Sequence, residues 1–224
     1  MKTDQRFRDR VEAATVRLTK LRGQGVLVPG GFILTATHCI DWSGDGAMPL
    51  GDFFLEPVRT RDGRKFRAQV YAAEPVADIA ALGAADSHSL WDDSLDFDEF
   101  VEAIQPVALY PEVPPLEKPL PAQVLTHKGK WIAGTVTRYG APFGLPSGIV
   151  WFRADGQIVG GTSGGPVVDR FGRLLGIVSQ GTSLTKGTPI TTEPVRMPLP
   201  WLALPRWLLD KIMAGSKRAT ARRR

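Results

Sequence analysis

Residues 160–168 read Gly160-Gly161-Thr162-Ser163-Gly164-Gly165-Pro166-Val167-Val168, a serine in a glycine-rich turn that leads into an apolar strand. Glycines on both sides of Ser163 let the backbone turn sharply and leave no Cβ in the way of an approaching molecule. The N–H groups of Gly161 and Ser163 can converge on one point in such a turn and stabilise an oxyanion there. An ordinary glycine-rich hairpin is the alternative interpretation of this segment taken alone.

Short apolar segments separated by Gly and Pro extend in both directions from this turn. They are rich in Val, Ile, Leu, Phe and Thr, a composition typical of β-strands. Because hardly any helical periodicity lies between them, the sequence predicts an all-β barrel or sandwich. Ten segments are predicted as strands: Val11–Leu18, Gly25–Val28, Phe32–Ala36, Phe66–Ala72, Ile79–Leu82, Ala122–Thr126, Trp131–Tyr139, Ile149–Phe152, Pro166–Val168 and Leu174–Ser179.

A proline-rich segment divides the chain. Residues 106–121 contain six of the 18 prolines, which predicts a stiff, extended linker. The linker separates a first β-half, about residues 11–105, from a second, about residues 122–200. Residues 201–213 place their apolar side chains on one helical face, which predicts a C-terminal amphipathic helix. We expect the functional site where the two halves meet.

Two segments are unusually charged. Residues 84–105 contain seven acidic residues and no Lys or Arg. They predict a surface insertion with a short helix near Asp96–Ala103, either a solvated face or a docking element for a regulatory partner. The last nine residues carry five basic residues, without which the formal net charge of +5 falls to zero. Residues 214–224 are predicted to be a disordered basic tail; contact with nucleic acid or an anionic membrane is the alternative, which no aromatic stacking motif supports.

Composition narrows the class of protein. Hydrophobic residues at 43% and charged residues at 23% are typical of a globular domain. The uncharged residues 23–40 contain five Gly or Pro and a His, which argues against a membrane span. One cysteine and an N-terminus without an apolar signal segment predict a cytoplasmic protein. No metal-ligand spacing and no phosphate-binding loop are present, so we expect no metal and no cofactor.

A serine nucleophile needs a base. The chain has three histidines. His38 ends the apolar segment that begins at Phe32, whereas His88 lies in the acidic insertion and His127 precedes a Lys-Gly-Lys turn. His88 and His127 are therefore predicted to be surface residues. His38 is the candidate base, and a buried structural histidine is its alternative interpretation.

The base needs a carboxylate that accepts a hydrogen bond from the imidazole Nδ1–H and fixes its tautomer. Asp78 directly precedes the apolar segment Ile79–Leu82, so it is either this partner or a turn residue at a strand end. Asp41 and Asp52 are rivals in glycine-rich sequence near His38.

Three motifs together resemble one family. Residues 33–39 (ILTATHC), 77–82 (ADIAAL) and 161–169 (GTSGGPVVD) follow the order His, Asp, Ser. They resemble the chymotrypsin-like, or trypsin-like, serine peptidases, especially the disulfide-free bacterial branch. The resemblance covers about residues 11–213 and implies one peptidase domain, residues 1–213, of two six-stranded antiparallel β-barrels with a C-terminal helix. It implies a site in the cleft between the barrels, with His38 and Asp78 on the first and Ser163 on the second.

The resemblance also implies a mechanism. Ser163 attacks a peptide carbonyl, His38 acts as base and then acid, and Asp78 orients His38. The Gly161 and Ser163 amides form the oxyanion hole, and an acyl-enzyme is formed and hydrolysed. Substrate is expected to pair with the edge strand at Ser179, Gln180 and Gly181.

The primary pocket is less well determined. Its base is expected at Gln157, a neutral residue that argues against a strict Arg or Lys preference, although Asp155 and Glu193 leave a basic preference open.

One feature differs from secreted relatives, and another from the quality-control proteases of the bacterial branch, which often carry a second module. Thr162 stands where they have an acid that pairs with a new N-terminal amine, so we expect no activating N-terminal cleavage. No second module fits after residue 213, which suggests an intracellular processing or effector protease. The alternative is a catalytically silent module that binds a peptide or protein partner. An esterase is a third interpretation, but the Ser-first order of hydrolase-fold esterases does not match.

Overall fold

The computed structural model describes residues 2–40, 55–138, 149–179 and 194–221. Along the chain the strands fall into two groups of six, and helix lies mainly at the two ends and between the groups. The strands are β1 (Thr15–Leu18), β2 (Gly23–Val28), β3 (Phe32–Thr35), β4 (Leu55–Arg59), β5 (Lys65–Glu74), β6 (Ile79–Gly83), β7 (Leu120–Leu125), β8 (Trp131–Thr137), β9 (Ile149–Ala154), β10 (Pro166–Asp169), β11 (Leu174–Ile177) and β12 (Val195–Pro198). The helices are α1 (Lys2–Ala14), α2 (Trp91–Ala103), α3 (Pro200–Ala203) and α4 (Arg206–Ala221).

The strands form two antiparallel barrels. Strands β1 to β6 close the first barrel in the order β1-β2-β3-β6-β5-β4. Strands β7 to β12 form a six-stranded sheet in the order β11-β10-β7-β8-β9-β12, a nearly closed second barrel. The predicted all-β fold of two six-stranded barrels with a C-terminal helix is confirmed.

Strands β3 and β6 lie side by side and are buried along their whole length. Both are continuous apolar runs, as expected of strands covered on both faces. Thr35 at the end of β3 is paired with Ala80 near the start of β6. Residues that follow β3 and residues that precede β6 therefore lie next to each other at one end of the first barrel.

The N-terminal segment differs from its prediction. Val11–Leu18 is not one strand, because α1 continues to Ala14 and β1 begins at Thr15. Phe7, Val11 and Ala14 follow the spacing of one helical face and are buried. The apolar run from Val11 thus belongs to two elements.

Helix α1 contacts both barrels. Phe7 packs edge-on against Trp131 of the second barrel, with 6.1 Å between ring centroids. The Trp131 indole Nε1–H donates to a carboxylate oxygen of Glu12 at 2.8 Å. Arg61, which follows β4 of the first barrel, forms an ion pair with the same carboxylate. Helix α1 is therefore a brace between the barrels.

The acidic segment is part of the core. Helix α2 begins at Trp91, earlier than the predicted Asp96, and buries Phe97 and Phe100. Both rings contact Phe66 of β5, with centroids 5.5 and 5.4 Å apart. Asp93 is largely buried and pairs with Arg67 of β5, whereas the other acids of the helix are exposed, so the segment combines a charged surface with an apolar anchor.

The C-terminal helix is interrupted. Helix α3 ends at Ala203 and α4 begins at Arg206, because Pro205 cannot donate a helical hydrogen bond. Helix α4 continues to Ala221, so residues 214–221 are helical where the sequence predicts disorder. Within the described ranges, no helix is long and apolar enough to span a membrane.

Strands β4 and β12 were not predicted from the sequence.

Truncation of the Phe7 side chain tests the brace. Phe7→Ala should lower the free energy of unfolding by about 3 kcal/mol, because it removes a buried ring that packs on Trp131. Chemical denaturation measures the change. Arg6→Ala, an exposed neighbour on the same helix, should stay within about 0.5 kcal/mol of wild type. Equal stability of the Phe7 and Arg6 variants would show that α1 does not brace the fold.

Candidate active site

The ends of β3 and β6 bring His38 and Asp78 together. His38 lies in the short 3-10 turn Thr37–Cys39 that follows β3, and Asp78 is the residue before β6. His38 Nδ1 lies 2.8 Å from Oδ2 and 3.0 Å from Oδ1 of Asp78. The His38 backbone N–H also donates to Oδ1, at 3.0 Å. One carboxylate thus fixes both the backbone and the ring of His38, as predicted for an orienting acid.

A third donor reaches Asp78 from the second barrel. The Ser179 hydroxyl donates to Asp78 Oδ2, and Ser179 is 3% exposed. Its backbone N–H donates to the Arg196 carbonyl at 2.8 Å, which ties the residue to the strand β12. The sequence predicted Ser179 as a substrate-pairing residue and did not indicate this side-chain role.

These contacts change both pKa values. The hydrogen bond to Asp78 raises the pKa of His38 well above its ordinary 6.5, and a contact with Cys39 adds to the effect. Burial by itself raises the pKa of Asp78, but hydrogen bonds from His38 and Ser179 outweigh it and hold the pKa below its usual range. Both shifts favour the charged pair, so the neutral imidazole that can accept a proton forms as the pH rises through the raised pKa of His38. The His38 ring is 42% exposed and the Asp78 side chain 14%, so the imidazole faces a cleft while the carboxylate lies behind it.

Ser163 occupies a turn that is held on both sides. The Gly164 N–H donates to the Val178 carbonyl at 2.7 Å, and the Val178 N–H donates to the Gly165 carbonyl at 2.9 Å. The Ser163 carbonyl accepts from the Gln24 N–H of the first barrel, at 2.7 Å. Gly164 has φ +76, and a Cβ there would overlap the Gln24 carbonyl oxygen, so only glycine fits. The turn is therefore packed directly on the first barrel.

Gly23 shows how close the two parts of the site come. A Cβ on Gly23 would overlap Cys39 Sγ and lie 3.4 Å from the Ser163 carbonyl oxygen. Cys39 is the residue next to His38, so a single glycine separates the base segment from the nucleophile turn.

The backbone donors of the turn are available for an oxyanion. Gly161 has φ +87, which orients its peptide in a way that other residues rarely adopt. In the part of the chain that the structure describes, the N–H groups of Gly161 and Ser163 donate to no backbone carbonyl. Across the same residues, the Ser163 hydroxyl and the His38 ring form no hydrogen bond with each other, which agrees with the looser contacts of an unliganded site.

The remaining site predictions have different outcomes. Gln157 is exposed and lies beyond β9. His88 is exposed as predicted, but His127 is half-buried: the Cβ position of Gly161 lies 3.5 Å from its ring. The position of His127 two residues after the buried end of β7 is the sequence signal for this burial. Five candidates lie outside the described residues: Asp41, Asp52, Gln180, Gly181 and Glu193.

Metal binding is not indicated by the described residues. Within those ranges, no group of three or more His, Cys, Asp or Glu side chains is arranged to hold a metal ion. The predicted lack of metal and cofactor stays a prediction.

Comparison with known proteins identifies related sequences and folds. A family described as the trypsin-like peptidase domain matches residues 23–177. No curated protein matches the chain significantly. The HtrA-type protease AlgW with a decapeptide has a TM-score of 0.62 at 17% identity, over 93% of this chain and 66% of that chain. AlgW with a tripeptide has a TM-score of 0.61 at 20% identity, over 94% of this chain and 64% of that chain.

A second protein matches over most of its own length. The inactive form of the Rv3671c protease, a protein of M. tuberculosis H37Rv, has a TM-score of 0.58 at 20% identity, over 94% of both chains. The present chain spans just under two thirds of the AlgW chains. At these identities the solved structures establish a shared fold.

The His38–Asp78 contact predicts a titration that NMR can follow. In a Ser163→Ala protein, His38 should titrate above 6.5, and the further change Asp78→Asn should bring its pKa back toward 6.5. Because the folded-state pKa is raised, the stabilisation from the pair is complete below pH 6.5 and is lost as the pH rises through the raised value. His127 is an internal control, since burial, with Lys128 and Arg17 nearby, holds its pKa below 6.5. A His38 pKa at or below 6.5, or one that Asp78→Asn leaves unchanged, would contradict the contact.

Proposed function

Since this chain belongs to the trypsin-like peptidase family and is a serine endopeptidase, we propose that it cleaves peptide bonds through Ser163, His38 and Asp78 as an intracellular processing or effector protease. The observation that carries the assignment of residues is the His38–Asp78 pair, with Nδ1 2.8 Å from the carboxylate, beside the glycine turn that holds Ser163. The imidazole is bound through Nδ1, so Nε2 is left for the Ser163 hydroxyl.

The proposed reaction follows from this arrangement. In its neutral form His38 accepts the Ser163 proton at Nε2 while Ser163 Oγ bonds to the peptide carbonyl carbon. The imidazolium formed is stabilised by Asp78, whose charge is held by donors from both barrels. His38 then donates the proton to the leaving amine, an acyl-enzyme remains on Ser163, and water attacks it by the reverse proton path.

The negative charge on the attacked carbonyl oxygen needs donors. The N–H groups of Gly161 and Ser163 are the proposed pair, and each such donor lowers the barrier by about 3 kcal/mol in comparable sites. Their turn is anchored by Gln24 and Val178, so the donors are in place before substrate arrives. Preorganised donors stabilise the transition state without reorganisation.

The substrate is proposed to be an extended peptide. The segment Val178–Ser179 lies against the Ser163 turn and continues into Gln180 and Gly181, the proposed pairing edge. AlgW is a protease with solved tripeptide and decapeptide complexes, which supports peptide binding on this fold. Gln157 at the proposed primary pocket favours a residue other than Arg or Lys before the cleaved bond.

Localisation and regulation are also proposals. A cytoplasmic location is supported by the presence of a single cysteine, Cys39, which is free and buried. Helix α2 is the proposed docking element for a regulatory partner, since its acids surround the exposed side chains of Trp91 and Leu95. Phe97 and Phe100 anchor the helix in the core. Neutralising the exposed acids of the helix therefore tests the docking proposal better than deleting the helix does.

Covalent labelling tests the assignment of the nucleophile. A fluorophosphonate probe should label the folded wild-type chain, and mass spectrometry should place the adduct on Ser163. Ser163→Ala should abolish labelling and lower peptide cleavage by at least about 1,000-fold, as expected when a triad serine is removed.

Ser89→Ala is the matched control, because Ser89 is exposed and lies beyond β6. It should label and cleave as wild type does. Folded wild-type protein that does not label would favour the silent peptide-binding module. A Ser163→Ala protein that labels like wild type would place the nucleophile elsewhere, and turnover of esters without peptide cleavage would indicate an esterase.

The intact chain is expected to be active without trimming of its N-terminus. Thr162 is neutral and 1% exposed, so it offers no carboxylate to a new terminal amine. Cleavage of a peptide library by freshly purified protein, with its intact mass confirmed, measures this. An intact chain that is inert and gains activity only after N-terminal trimming would refute the expectation.

A further inference from the structure

A second cleft opens beside the Ser163 turn. It has a volume of about 360 Å³ and lies between the two barrels, where β1 and the end of β4 face the turn that joins β7 to β8. Its walls are polar and charged. The lining residues that matter here are Glu12, Arg17, Gln24, Arg59, Arg61, His127 and Lys128.

The charge in this cleft is strongly positive. Arg17, Arg59, Arg61 and Lys128 line it, and Glu12 is the one acidic lining residue among those described. Glu12 is engaged by Arg61 and by the Trp131 indole. Three positive charges therefore remain in excess.

Strand pairing concentrates this charge at a cost to stability. Arg17 of β1 is directly opposite Arg59 of β4, and Arg59 is directly opposite Lys65 of β5. Like charges opposite each other on neighbouring strands are destabilising. Within the described ranges, Arg59 and Lys128 form no ion pair. The positive charge of the row is therefore available to an anionic ligand.

The cleft shares two walls with the nucleophile turn. Gln24 lines it and donates its backbone N–H to the Ser163 carbonyl at 2.7 Å. His127 lines it and lies 3.5 Å from the Cβ position of Gly161. The Arg17 guanidinium donates to the His127 carbonyl at 2.9 Å, which holds this wall in place. A chain leaving the Ser163 turn on this side enters the basic cleft.

The direction of the substrate decides which part enters. Val178 and Ser179 flank the turn at Gly164, whereas His127 and the Arg22 carbonyl flank it at Gly161. In the proposed binding mode, the pairing edge at Ser179 holds residues before the cleaved bond. Residues after the bond must then leave past Gly161, toward His127 and the cleft.

We propose, on the basis of the function proposed above, that this basic cleft binds the part of the substrate after the cleaved bond and selects acidic residues there. The ligand is an acidic peptide segment, with Asp or Glu in the first few positions of the leaving half. Carboxylates of the substrate contact Arg59, Arg17 and Lys128. Specificity then comes from the leaving side of the substrate in addition to the primary pocket.

Two observations favour a peptide over a nucleic acid. Gln24 and His127 of the cleft also contact the reacting turn, so a substrate chain that continues past this turn reaches the cleft. In addition, no Phe, Tyr or Trp lines it for base stacking, among the residues described. The lowered pKa of His127 agrees with the positive potential, since Lys128 and Arg17 add to the effect of burial.

Mapping of cleavage sites in a peptide library tests the proposal. The full chain is incubated with a peptide library at low salt, and residues on both sides of each cleaved bond are counted. Asp and Glu should be enriched about threefold to tenfold after the bond, the effect expected of one or two exposed charge pairs. The enrichment should shrink when NaCl is raised to about 0.5 M, where the screening length falls to about 4 Å.

The charge-reversal variant Arg59→Glu/Lys128→Glu should lose the acidic enrichment or replace it with Lys and Arg. A matched control, Lys118→Glu/Arg170→Glu, changes two exposed cations that do not line the cleft and should keep the preference. Rates are expressed per phosphonate-labelled Ser163, which corrects for any loss of folded protein. Binding of a fluorescent single-stranded DNA oligonucleotide is measured in parallel.

Loss of the preference in the cleft variant and its retention in the control support the proposal. Cleavage without an acidic preference in wild type, or equal loss in both variants, overturns it and leaves the protease function intact. Oligonucleotide binding that the cleft variant loses, without any acidic preference, assigns the cleft to nucleic acid and also overturns it. No Ser163-dependent cleavage of any peptide overturns both the preference and the proposed function.

Discussion

The carboxylate of Asp78 accepts hydrogen bonds from both barrels, and the geometry of the site depends on it. His38 donates from the first barrel and Ser179 from the second. A buried carboxylate is stable only when its oxygens are satisfied, so separation of the barrels would leave a charge without donors. Asp78 also has φ +62, a conformation that few residues other than glycine adopt. Local backbone strain is thus accepted at a residue that receives donors from both the base barrel and the nucleophile barrel.

Close backbone contact fixes the rest of the site. Gly164 lets the Ser163 turn lie on the Gln24 carbonyl, and Gly23 lets Cys39 approach the same turn. Helix α1 adds a distant brace through Phe7 and Glu12. Because these contacts leave little room for rearrangement, oxyanion donors and imidazole keep a defined relation before substrate binds. The basic cleft shares the same supports, which connects proposed specificity to the reacting turn.

Much of this site could be predicted from the sequence because its residues lie at the ends of strands. His38 follows one apolar run and Asp78 precedes another, and the pairing of β3 with β6 brings them together. Ser179 was assigned to substrate pairing because a strand sequence does not reveal which hydroxyl meets a carboxylate far along the chain. Arg17 and Arg59 lie opposite each other because of the register between β1 and β4. Since β4 was not predicted, the sequence did not indicate this pair. The acidic composition around Phe97 concealed a core helix.

A crystal structure of the protein with a peptidyl boronic acid is the most direct test of the arrangement. We expect boron bonded to Ser163 Oγ, a boronate oxygen within hydrogen-bond distance of the Gly161 and Ser163 N–H groups, and His38 between Ser163 and Asp78. The Ser179 hydroxyl should still donate to Asp78. A boronate attached to another residue, or a complex in which His38 has left Asp78, would contradict the proposed chemistry.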